Sequence, residues 1–153
     1  MIKEIRIRNF AVIENLEVSF GKGLSVLTGE TGAGKSIIID AINLLLGGRA
    51  DTDSIRSGET TAFVDAVFEI TDPVTRDLIL EFGVEMDDSE LLIKRQVSNT
   101  GKNRCLLNNN SVTVSTLVKI GDRLVDLHGQ HDHQALFRPE IHIELLDLYG
   151  KCN

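Results

Sequence analysis

Residues 29–36, Gly-Glu-Thr-Gly-Ala-Gly-Lys-Ser, fit the pattern G-x-x-x-x-G-K-[ST] and lie between a short apolar run, 24–28, and a longer one, 36–46. No other feature of the chain constrains its fold as strongly, because the pattern works as a turn leading from a strand into a helix. Gly29, Gly32 and Gly34 let the backbone wrap so that successive N–H groups point inward, at the positive end of a helix dipole. Glu30, Thr31 and Ala33 complete the cradle. Lys35 would reach the β- and γ-phosphates of a nucleotide, and Ser36 would offer its hydroxyl to Mg²⁺. A bare connecting turn has no use for Lys35 and Ser36 together. The expected unit is therefore a buried strand over 24–28, a phosphate-binding loop, and a helix over 36–46 that is apolar nearly all round and stopped by Gly47 and Gly48.

A chain of 153 residues with 42% hydrophobic and 25% charged residues has the composition of a soluble globular domain with a core of its own. No apolar run reaches the ~18 residues of a membrane span, and the first residues alternate charged with apolar side chains, unlike a signal peptide. A cytoplasmic location is expected. Cys105 and Cys152 are far apart and form no C-x-x-C pair, which predicts reduced thiols and neither a disulfide framework nor a zinc site. The net charge of −7 argues against a nucleic-acid footprint spread over the whole surface. Basic residues do cluster, at Lys3, Arg6 and Arg8 and again at Lys94, Arg95, Lys102 and Arg104. Either a phosphate-contacting patch or a solvated strand face accounts for them.

Period-two alternation over 2–10 and 12–20 predicts two strands ahead of the one at 24–28. The polar stretch 47–60 is too long for a simple connection, as loops beside a phosphate site often are. Alternation resumes at 61–70, with Ala62, Val64, Ala66, Phe68 and Ile70 on the covered face. Asp72-Pro73 reads as an N-cap with proline at the first helical position, opening a helix that ends near Phe82-Gly83. Residues 91–97 and 104–108 flank turn chemistry at 98–103 and predict a hairpin. A helix over 113–120 ended by Gly121, a strand over 124–127 and a last helix from Pro139 to Tyr149 complete the expected order.

Directly after the expected strand at 124–127 comes His128-Gly129-Gln130-His131-Asp132-His133-Gln134. Three readings stand side by side: a metal site, a solvated polar loop, or a γ-phosphate contact by Gln130. In the last, the amide carbonyl would coordinate Mg²⁺ and the side chain would orient the attacking water.

In combination these pieces resemble a family. Residues 7–14 (Ile-Arg-Asn-Phe-Ala-Val-Ile-Glu), 27–36 around the phosphate loop, 44–51 (Leu-Leu-Leu-Gly-Gly-Arg-Ala-Asp) and 127–134 are similar to the N-terminal part of the bacterial RecN DNA repair family, over nearly the whole chain. That family resembles the SMC proteins, whose ABC-type ATP-binding head is split by a long coiled coil. The resemblance implies an α/β fold in which 1–153 is the N-terminal lobe of a P-loop NTPase head, a mixed sheet with antiparallel strands plus a P-loop β-α unit. It implies ATP and Mg²⁺ as ligands, Gln130 as the Q-loop glutamine with Gln134 the weaker candidate, and Arg8 and Arg56 as phosphate-facing arginines. An exposed role for either arginine is an equal alternative. It further implies a C-terminal lobe and a second head as partners, DNA as a partner of the full protein, and a place in the bacterial cytoplasm at the nucleoid. No apolar run ending in Asp-Glu serves as a Walker B motif, and no signature motif is present in the 153 residues. The chain thus reads as half of a catalytic head, its final helix at about 139–149 leading toward a coiled coil, and inactive alone. Competing readings are a self-contained kinase or GTPase, for which neither an arginine-rich lid nor an Asn-Lys-x-Asp motif is evident, and a non-catalytic lobe in which nucleotide regulates assembly.

Overall fold

The computed structural model describes residues 1–28, 34–86 and 88–127. Among these, β1 (Ile2–Phe10), β2 (Ile13–Ser19), β3 (Thr61–Glu69), β4 (Glu90–Ser98), β5 (Asn103–Leu107) and β6 (Asn110–Val112) form one antiparallel sheet in the order β2-β1-β3-β4-β5-β6. Helices α1 (Gly34–Leu45), α2 (Pro73–Glu81) and α3 (Val114–Leu124) contribute Ile38, Ala41, Leu44, Leu45, Ile79, Leu117 and Ile120 to a single core. The sheet side of that core is written in the alternation. Along β3 every second residue, from Ala62 to Phe68, is buried, and Leu91, Ile93 and Val97 do the same along β4. No helix among the described residues is long and apolar enough to cross a membrane.

Local chemistry fixes the ends of the elements. Asp72 caps α2, its carboxylate accepting from the backbone N–H of Val74 and Thr75 and from the Thr75 hydroxyl, with Pro73 in the first turn. The Thr75 hydroxyl and backbone hydrogen bonds hold the Asp72 carboxyl below its ordinary value of 3.8. A carboxyl lowered on folding adds stability above its unfolded value, and that stability is lost as pH falls through the folded one. Asp72→Ala should therefore lower the urea midpoint at neutral pH, and the gap from the parent chain should close as pH falls from 3.8 through the lowered value.

At the far end of α1, Gly48 N–H donates to the Asn43 carbonyl and Gly47 N–H to that of Leu44, the paired bonds of a Schellman motif. Gly47 takes the left-handed conformation that motif requires, with φ +103°.

Three expectations need correction. Residues 24–28 join no strand of the sheet, and Leu24 and Val26 are 91% and 71% exposed. The run is apolar enough to be buried, but no described strand lies alongside to pair with it. Residues 124–127 are likewise not a strand; Leu124 closes α3 and 125–127 form no ladder. Gly121 does not end α3 but sits buried within it, because its missing side chain is used for close approach. A Cβ there would lie 2.8 Å from the Leu46 carbonyl oxygen and 3.0 Å from the Leu46 Cβ. Gly121→Ala should destabilise the fold by about 1–2 kcal/mol in urea unfolding, since overpacking against backbone outweighs the better helix propensity of alanine. The expected helix at 139–149 lies outside the described residues.

Candidate nucleotide site

The site grows from the first turn of α1. Gly34, Lys35 and Ser36 open that helix, and no acidic side chain lies in its first turn to neutralise the positive end of the dipole. Lys35 is half-buried and Ser36 exposed. Beside them a cavity of about 560 Å³ is lined by Ile13 and Leu16 from β2, Leu27, Ile38, Glu14 and Lys35. Its lining is mostly apolar, with Glu14 and Lys35 as its charged members. Gly29, Glu30, Thr31, Gly32 and Ala33, with Gln130, Gln134 and the histidines around them, lie outside the described residues. A cationic amine, a hydroxyl and open helix N–H groups at one helix start are the donors that Mg²⁺-ATP requires. Among the described residues no cluster of His, Cys, Asp and Glu could hold a metal by itself.

The long polar stretch is not a free loop. Its 3₁₀ turn, Thr52–Ser54, is tied to the β1–β2 connection, with Ala11 N–H donating to the Ser54 carbonyl (2.7 Å) and Arg56 N–H to that of Asn9 (2.9 Å). This docking brings the Arg56 guanidinium to 3.5 Å from the carboxylate of Glu14, a residue that lines the Lys35 cavity. Arg56 thus reaches the cavity rim through a carboxylate. Arg8 points elsewhere, its guanidinium stacked 4.8 Å from the centre of the Phe63 ring on the face of the sheet opposite the described helices.

That outer face carries most of the basic clusters seen in the sequence. Register sets Arg8 between Asn15 and Phe63, and Arg6 between Glu17 and Asp65, with Lys94 beyond Asp65. The charges are mixed in sign. Arg6 pairs with Glu4 and Glu17, and Lys3 with Glu90 at 2.6 Å. Burial pushes the half-buried Asp65 carboxyl above its ordinary value, while Lys94, Arg8 and Arg6 pull it back. Arg95 departs from both readings of its cluster: it is 2% exposed and faces the core, because it shares the inward register of Leu91, Ile93 and Val97. Cys105 is a free thiol buried beside it. The alternation of β4 was the available signal for Arg95, and the charge of the residue obscured it.

Among known proteins, the chain is 49% identical over 151 residues to the DNA repair protein RecN of Halalkalibacterium halodurans, covering 98% of this chain and 27% of that protein. It is 48% identical over 152 residues to the DNA repair protein RecN of Bacillus subtilis, covering 98% and 26%. The chain therefore spans about a quarter of the length of these relatives. In structure it is similar to the SMC head domain from Thermotoga maritima, with a TM-score of 0.60, 26% identity and coverage of 80% of this chain and 41% of that one. The architecture is that of the N-terminal lobe of a P-loop NTPase head of the SMC and ABC type. With a family model described as an AAA domain matching residues 4–151, and RecN proteins as its relatives, the chain belongs to the AAA domain family as a RecN-type member.

Proposed function

We propose that this chain is the ATP-binding lobe of an SMC-like DNA repair ATPase, acting in recombinational repair of double-strand breaks through ATP-driven engagement of two heads. One observation carries the reading: the Lys35–Ser36 helix start opens onto a cavity whose surroundings are apolar but uncovered. Leu27 at the cavity wall belongs to the unpaired run 24–28, and Ile39 on α1 is 39% exposed although the helix is apolar nearly all round. A second lobe from the remainder of the protein is the natural cover for both.

Mg²⁺-ATP would bring the transferable γ-phosphate and the charge that the metal neutralises. In this chain, the N–H groups of 29–34 and the Lys35 ammonium would bind and orient the phosphates, and the Ser36 hydroxyl would hold the metal. The walls from β2, Leu27 and Ile38 keep water from the base. Gln130 holds the attacking water, and Arg56 meets phosphate oxygens once the head is assembled; Arg8 takes the other role open to it, an exposed strand residue stacked on Phe63. The carboxylate that completes hydrolysis comes from the C-terminal lobe, so this chain alone is inactive. The partners are that lobe, a second head in an ATP-dependent homodimer, and DNA bound by the full protein at the nucleoid.

Mg²⁺-ATP turnover, measured for this chain alone and then with the separately made remainder of the protein, tests the reading. Turnover only with both supports it. Turnover by the 153 residues alone would sink the split-head reading, and nucleotide-dependent association without turnover would favour the non-catalytic assembly lobe.

A further inference from the structure

Arg95 is the largest polar side chain in the core and is 2% exposed. An isolated buried guanidinium is strongly disfavoured, and such a group is normally found against a carboxylate. No carboxylate among the described residues pairs with it. Its Nη1 donates to the Cys105 thiol, its Nη2 donates to the Gly48 carbonyl at 3.3 Å, and its Nε has no partner. A leucine or methionine would fill the same space between Val64 and Cys105 without desolvating a charge. What the cation gains is position: Gly48 is the last residue of the Schellman turn that closes α1, where the helix dipole is negative.

We propose that Arg95 is a positioning residue for the nucleotide site, pinning the C-terminal end of α1 to β4 and β5 and so setting where Lys35 and Ser36 stand at the other end. The inference rests on the ATP-binding reading above. A helix of 12 residues transmits a displacement of one end to the other, since its backbone hydrogen bonds make it stiff. The same end is held from the side by close packing on α3. A Cβ on Gly47 would lie 2.5 Å from Val118 Cγ2, and one on Gly121 would lie 2.8 Å from the Leu46 carbonyl oxygen. The end is therefore held by two neighbours, by α3 through these close approaches and by Arg95 from the sheet. The wall of α1 that carries Ile38 also bounds the cavity beside Lys35, so a tilt of the helix changes both the phosphate and the base contacts.

The test uses the full-length protein carrying Arg95→Met, Arg95→Lys, Cys105→Ala or Lys35→Ala, with binding of a fluorescent ATP analogue and thermal unfolding measured separately. Arg95→Met should weaken nucleotide binding about tenfold at a temperature where it is fully folded, as expected of a displaced but intact site. Arg95→Lys keeps the charge and one donor to Gly48 and should recover most of that loss, while Cys105→Ala should bind like the parent. If Arg95→Met does not fold, the same comparison is made with Arg95→Lys, for which an affinity about threefold below the parent is expected and an unchanged one overturns the proposal. A folded Arg95→Met with parental affinity, beside a Lys35→Ala whose binding is much weaker than the parent's, overturns the positioning role alone. A parent that does not bind, or a Lys35→Ala that binds as well as the parent, overturns the nucleotide reading and the positioning role together.

Discussion

Lys35→Ala should lower kcat/KM for Mg²⁺-ATP by about 10²–10³ in the assembled head, the usual consequence of removing one preorganised donor from a developing phosphate charge. The ammonium stands in the first turn of α1, half-buried beside the cavity wall, where low dielectric strengthens its field and where no acidic side chain of that turn offsets it. Removing it leaves the helix N–H groups in place. Residual weak nucleotide binding with almost no turnover is therefore the expected pattern, with the melting temperature within a few degrees of the parent's, since Lys35 is not part of the hydrophobic core. Steady-state kinetics with the two lobes together give the number. A variant that hydrolyses ATP at the parental rate would remove Lys35 from the site and with it the chemical reading of residues 29–36.

The second large effect concerns the uncovered run. Val26→Glu should leave the isolated chain folded, because Val26 is 71% exposed and contributes nothing to the core, yet weaken association with the remainder of the protein by about 30-fold or more, the scale of an interface hot spot. Placing a carboxylate where an apolar strand must be buried leaves a charge without water or partner, which the assembled state cannot relax. Titration of one lobe with the other by calorimetry, with circular dichroism as the folding control, separates the two effects. Association at parental affinity would mean that 24–28 remains outside the contact.

The amino-acid pattern revealed the parts of the fold whose signal is local, in the period of a strand or the first turn of a helix. Alternation located β1, β3 and β4 and assigned their buried faces, and Asp72-Pro73 located the start of α2, because a cap is a local contract between a side chain and the next few N–H groups. The failures share a different cause. Apolarity says that 24–28 is fit to be buried, but not that the burying surface is among the described residues; Leu124 and Val125 do pack on the core, but from the end of α3 and not from a strand. Gly121 could end a helix or allow a close approach, and only the position of Leu46 decides between them. The strand β6 was missed because three residues are too few to show a period. Its signal was the Asn108-Asn109 pair, both left-handed at φ 45° and 68°, as a tight hairpin turn between β5 and β6 requires. In the site, Lys35 and Ser36 were legible from spacing alone. The Arg56–Glu14 contact was not, since it depends on the 3₁₀ turn docking against β1.

The two margins of the sheet have a bearing on how such a lobe can grow. One margin is β6, only three residues long, and the other is β2, which carries Glu14, Asn15 and Glu17 along its exposed positions. Short and charged margins are poor templates for an added strand. Copies of the lobe are thereby discouraged from zipping edge to edge into aggregates while the uncovered run awaits its cover, and recruitment is channelled to 24–28, an apolar stretch that no described neighbour protects.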